Sequence, residues 1–208
     1  MVPARHGWLE LDGAMSLPAQ VQRKLTGYYA LEAQPEVDAF VSSRADVTRE
    51  RVLVRASEEG VEIAVELPPM GDDTHVDLDA VCQIVEGVSH FVLLADRARR
   101  ELPTTELELE LQAELDKFLL LAVARERPLE PWQARALHER LFGHARFLHP
   151  AGTVRGDRYR TAHALAERFT AALARRYLAT RRHRELCATL RRFYHASPND
   201  KLALARAA

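Results

Sequence analysis

The sequence predicts an α+β protein, with a small N-terminal antiparallel sheet packed on a bundle of about five helices. Three observations predict it. Residues 51–67 alternate apolar and polar side chains on either side of a turn, the period of a half-buried hairpin. Beyond residue 76 the apolar residues recur at helical spacing. Between these regimes the chain changes character once, at the Pro68–Asp73 loop. We therefore expect a loosely ordered arm over 1–26 and one domain over 27–208, with a β-rich part (27–70) and a helical part (76–208).

In the arm, Pro3, Gly7, Gly13 and Pro18 interrupt any periodicity, and at most a turn of helix is expected within Leu17–Thr26. Trp8 and Leu9 would anchor the arm in a groove. One or two strands are expected from 28–43, where aromatic and β-branched residues surround Pro35. In the hairpin, Val61, Ile63, Val65 and Leu67 share a face, and Gly60 suits the positive φ of the turn. A lone hairpin is marginal in water, so it must find a third strand or a helix. Asp77 or Asp79 caps a helix to about Arg100, with Val81, Val85, Val88 and Val92 inward. Gly87 inside it costs about 1 kcal/mol against alanine, and a glycine there admits a close neighbour.

Thr105–Arg127 is expected to be the central helix. Thr105 and Glu108 make a capping box after Pro103. Leu111, Leu115, Phe118, Leu119 and Ala122 then form a stripe, and the FLLLAVA run is apolar all round, as in a helix enclosed by others. Pro131 opens the next helix, expected over Trp132–Leu148 with Leu137, Leu141, Ala145 and Leu148 inward. A long helix starts at Gly156-Asp157, breaks near Thr180–Arg182, and resumes to His195. Ser197 and Pro198 start a short last one.

Composition bounds the function. Hydrophobic content of 47% and charged content of 28% are those of an ordinary globular protein. The longest apolar run, Phe118–Ala124, is far short of a membrane span, and the first residues lack the apolar core of a signal peptide. Cys82 and Cys187 form no CxxC pair and are expected reduced and buried. Cytoplasmic location follows as the expectation. Only three of 29 basic residues are lysine (Lys24, Lys117, Lys201), a composition usual in GC-rich bacterial genomes. The net charge of -1 conceals a division: residues 1–124 carry 23 acids and 11 bases, and residues 125–208 carry 7 acids and 18 bases. The two parts can attract each other within the molecule, or the basic part can face an anionic partner.

Two sets of residues are candidates for a site. Glu86 and His90, Glu110 and Glu114, and His163 and Glu167 are each four apart on a predicted helix, so each pair shares a face. Carboxylates and imidazoles from facing helices are what a di-iron or di-manganese bundle uses, which would make a metal ion the cofactor. Such bundles carry Glu-x-x-His in two helices, and that motif is missing here; no cofactor is therefore the primary expectation. His138, His144 and His149, six and five apart, do not stack on one face. The second set is Arg175, Arg176, Arg181, Arg182, Arg184, Arg191 and Arg192 beside Tyr177, Phe193 and Tyr194, a composition that contacts nucleic-acid phosphates. No HExxH, GxSxG, GxGxxG or Walker motif occurs. The leading expectation is a non-catalytic bacterial interaction or adaptor protein whose partner is another protein. Nucleic-acid binding is the alternative, and a metal-dependent helical-bundle enzyme is the second alternative.

Overall fold

A computed structural model describes residues 15–32, 34–57, 60–69, 78–123 and 129–208 of the chain. The protein is α+β, with seven α-helices and a three-stranded sheet among the described residues. Trp8 and Leu9, the acidic loop before residue 78 and the break at Pro128 lie outside them.

Helix α1 spans Leu17–Tyr29. Ser16 caps it by accepting from the Ala19 N–H, and Pro18 falls in the first turn, where it costs no hydrogen bond. Leu17, Val21, Leu25 and Tyr29 are four apart and all buried. This corrects the expectation of a loose covering up to residue 26. The i, i+4 stripe outweighs Pro18, which sits in the first turn of the helix. Tyr28 and Tyr29 are accordingly helical, and the strand expected over 28–43 shrinks to β1 (Val41–Ser43).

Strands β2 (Arg51–Ser57) and β3 (Gly60–Leu67) form the predicted hairpin, with Val52 opposite Val65 and Val54 opposite Ile63. The order is β1-β3-β2, and β1 runs parallel to β3. The sheet is thus mixed rather than antiparallel throughout, because β3 returns between its two predecessors. Only the Val65–Leu67 end is buried. Leu53 and Val54, on opposite faces of β2, are about half exposed (50% and 49%), so the hairpin tip projects past the core.

The core lies around α2 (Leu78–Arg99) and α3 (Glu106–Phe118). Helix α2 is the one described helix long and apolar enough to cross a bilayer, and 72% of its apolar window is buried inside the protein. At Gly87 an added Cβ would stand 2.9 Å from Val65 Cγ1 and 3.4 Å from Leu67 Cδ2, so the missing side chain is what lets β3 lie on α2. Gly87→Val is expected to lower stability by about 1–3 kcal/mol in urea denaturation despite its better helix propensity. An unchanged midpoint would show that the sheet is not held at that contact.

Thr105 caps α3 by accepting from the Glu108 N–H at 3.1 Å. The reciprocal half of the expected capping box is replaced: the Glu108 carboxylate turns inward to Arg97 and Lys201. The α3 rod continues as a π-helical turn, Leu119–Val123, every residue of which is buried. Helix α4 runs over Pro131–Phe142, shorter than expected, and Ala145 and Leu148 are exposed. Phe142 takes the inward place, against the rings of His138 and His163. Helix α5 (Val154–Leu173) starts two residues before Gly156, because Thr153 supplies the cap. It ends in a second π-helical turn, Ala174–Leu178. The predicted break follows, with Arg181 at φ 55°. Helices α6 (His183–His195) and α7 (Pro198–Arg206) complete the chain, and Ser197 caps α7 as expected.

Candidate functional site

The Glu/His pairs converge, but on a lysine. Helix α3 presents Glu110, Glu114 and Lys117 toward Glu86 and His90 on α2 and toward Arg158, Tyr159 and His163 on α5. Lys117 Nζ donates to Glu86 Oε2 at 2.6 Å and to Glu114 Oε1 at 2.9 Å. The other Glu114 oxygen is 3.2 Å from His163 Nδ1. Glu110 lies beside Tyr159 and 4.0 Å from Arg158 Nε. His90 Nε2 stops 3.8 Å from Glu110, and that nitrogen has no hydrogen-bond partner. Glu50, from the loop before β2, lies against Glu86. Glu167 does not join: it is exposed, and its backbone oxygen meets His138 Nε2.

An ammonium group therefore stands where a metal would have to sit, and it repels a second cation. Among the described residues no three His, Cys, Asp or Glu side chains have the geometry to hold a metal ion. The electrostatics follow from burial and from Lys117. Burial, then the Glu86 charge, pushes the Glu50 carboxyl up to about 9 and Glu110 to about 7. Burial opposes ionisation of Glu114 as well, but Lys117 and His163 hold it down to about 2. Burial also works against the Lys117 charge, and Glu114 with Glu86 more than offsets it, so this lysine titrates well above the usual range. Burial lowers His90, against the pull of Glu86.

A second network crosses the core behind the first. Asp116, fully enclosed, accepts from Ser89 at 2.6 Å, from Gln112 at 3.0 Å and from the Tyr29 hydroxyl. Lys201 reaches in from α7 at 0% exposure and donates to Glu108 at 2.8 Å and Gln112 at 3.1 Å. Arg97 meets the same Glu108 oxygen at 2.7 Å and the Ala196 carbonyl at 2.9 Å. Burial raises Asp116 to about 6 against its three hydrogen bonds, and lowers Lys201 to about 8 against the pull of Glu108.

These shifts set a pH dependence. Glu50, Glu110 and Asp116 keep their protons in the fold up to about 9, 7 and 6, whereas the unfolded chain releases them near 4 to 4.5. The folded state binds more protons in that interval, so stability falls as pH rises from about 5 to 8. Glu114 acts oppositely, but its contribution is lost only as pH falls from 4.5 through about 2. Lys201 restores stability only above about pH 8, where the unfolded chain still holds its proton. His90, lowered, and His163, raised, oppose each other. The urea midpoint is expected to fall between pH 5 and 8, and Glu50→Gln to flatten that slope. A midpoint that climbs over this window would overturn the assignment.

The seven arginines are all exposed. Arg181 lies 3.9 Å from Glu130 and Arg182 pairs with Glu185, so neither reaches the acidic part of the chain. Arg191 donates to the Tyr28 carbonyl. Arg175, Arg184 and Arg192 have no carboxylate partner among the described residues. The attraction between the halves runs instead through Arg158 to Glu106 and Glu110, His163 to Glu114, and Lys201 to Glu108. Beside Arg175 a groove of about 420 Å³ opens between α4 and the π-helical end of α5. Its floor is Ala134, Ala171, Ala174 and Leu178, Arg135 and Arg175 flank it, and Trp132 stands at its lip with 68% of its surface exposed.

No protein-family model matches this chain, and no curated protein or solved structure matches it either. The function must be read from the site itself.

Sequence reasoning brought together five of its six Glu and His candidates but missed Lys117, Glu50, Tyr159 and the whole Asp116–Lys201 network. One signal was present. In a chain that uses arginine almost everywhere, two of the three lysines are the buried ones. A lysine is a compact charge with three donors, which suits a closed site that a planar guanidinium would not fit. Both cysteines are free and half-buried, rather than buried as expected, and burial pushes the Cys82 thiol up to about 11. That argues against a thiolate nucleophile there.

Proposed function

We propose that this chain is a bacterial cytoplasmic interaction or adaptor protein that acts by binding another protein, without catalysis. The observation that carries the reading is the α4–α5 groove. An exposed tryptophan beside an apolar floor is uncommon on a free surface, and aromatic anchors with arginine dominate protein interfaces. A π-helical turn forms one wall, and such turns occur often at functional positions. The titratable clusters support the same reading from the other side, since the Lys117 and Lys201 ammonium groups are each paired with carboxylates inside the fold. Affinity capture from the native host tests it. Wild-type protein should retain a partner that Trp132→Ala releases. If wild-type protein returns alone and monomeric, the reading fails.

Nucleic-acid binding is the second reading, favoured by the outward arginines that the acidic part of the chain leaves unneutralised. It requires affinity for DNA or RNA that weakens steeply with salt and is lost in an Arg181→Ala, Arg182→Ala, Arg184→Ala triple variant. No binding at low salt would end it.

A further inference from the structure

We propose that the groove between α4 and the end of α5 seats an amphipathic helix of the partner protein, with carboxylates flanking its apolar face. The proposal rests on the interaction reading above and names the chemistry of the occupant. Two helices form the walls, and three alanines in the floor leave room for the side-chain ridge of a third helix to settle between them. Charge fixes the rest. Arg135 and Arg175 stand on opposite walls, both exposed and neither paired with a carboxylate among the described residues. Arg181 lies one step beyond, near Glu130 at the α4 N-terminus. No acidic side chain among the described residues lines the groove. An apolar stripe would cover the alanines and Leu178, the Trp132 ring would close over it, and carboxylates beside the stripe would meet the two arginines. This is the helix-in-groove mode of recognition, with the charges setting orientation. A nucleic-acid strand would use the arginines but leave the alanine floor without a role, so a protein helix is the better match.

The test uses the full chain carrying Trp8→Phe, so that Trp132 is the sole tryptophan. The probe is a synthetic helical peptide of about 18 residues, roughly five turns, with leucines along one face and glutamates beside them. A twin with lysine in place of each glutamate is the control. The glutamate peptide should shift Trp132 emission to the blue, saturate, and bind at least tenfold more tightly than its twin. Arg135→Glu with Arg175→Glu should reverse that preference. Trp132→Ala, read by anisotropy of a labelled peptide, should weaken binding at least tenfold. All three side chains are exposed, so the variants should keep the wild-type circular dichroism.

Equal binding of the two peptides, or a preference unmoved by the charge reversal, overturns the proposal. So does sedimentation showing that Trp132→Ala disperses a dimer, which would make a second copy the occupant, or tighter binding of single-stranded DNA than of the glutamate peptide. If both peptides fail while Trp132→Ala still releases the host partner, the helix proposal falls and the interaction reading stands. If the host partner survives Trp132→Ala as well, both fall.

Discussion

Replacing Lys117 with methionine is expected to destabilise the protein by about 3–5 kcal/mol at pH 7, the cost of leaving buried charges uncompensated. Methionine keeps the length of the stem but removes the ammonium from between Glu86 and Glu114. Those carboxylates, with Glu50 and Glu110 nearby, would then face one another in a site with little access to water. The sign of the pH dependence follows. Without the cation, both carboxylates hold protons more tightly in the fold than in the unfolded chain, so the variant loses stability as pH rises through about 4.5. The gap between variant and wild type should therefore narrow toward pH 4, measured by urea denaturation across pH. A gap that is small at pH 7, or equally large at pH 4, would show that Lys117 does not neutralise this site.

Glu108→Gln should have an effect of similar size, about 3–5 kcal/mol. One Glu108 oxygen meets both Arg97 at 2.7 Å and Lys201 at 2.8 Å. All three side chains are almost fully buried, so removing the single anion strands two cations at once. Helix α7 should respond most. Of its nine residues only Lys201 and Ala205 are buried, and Lys201 provides its anchoring ion pair. Amide exchange over Pro198–Arg206 should accelerate in Glu108→Gln well beyond what the global loss of stability explains. A double-mutant cycle with Lys201→Met should reveal coupling above about 0.5 kcal/mol. Uniform acceleration through all helices, with no coupling, would contradict this account of how α7 is held.

Much of the fold was legible because it rests on local chemistry. Helix α3 was marked by Thr105 and by the Leu111–Leu115–Leu119 spacing, and the hairpin by alternation around Gly60. The last helix was marked by Ser197 and Pro198. Gly87 announced a close approach and received one. The errors have physical causes of their own. Pro18 masked α1, since the effect of a proline depends on whether it falls inside a helix or at its end. The α4 stripe ran on to Leu148 on paper because apolar spacing does not show where Gly143 ends the helix. The parallel β1–β3 pairing is a matter of tertiary order, which alternation alone does not encode.

The site divides along the same line. Helical spacing was enough to place Glu86 with His90 and Glu110 with Glu114 on shared faces. It could not say that Lys117, one turn beyond Glu114, would fill the space between them. Nor could it show Lys201 reaching Glu108 across 93 positions of chain. Trp132 was assigned simply to a helix start, and its exposure depends on how α4 lies against α5.

The scarcity and burial of lysine also have a practical corollary. Amine-directed acylation of the native protein should spare Lys117 and Lys201, because both are enclosed and ion-paired. The two protected amines belong to separate networks, one between α2, α3 and α5 and the other beneath α7. The order in which they take up a mass label would therefore report which of these regions opens first.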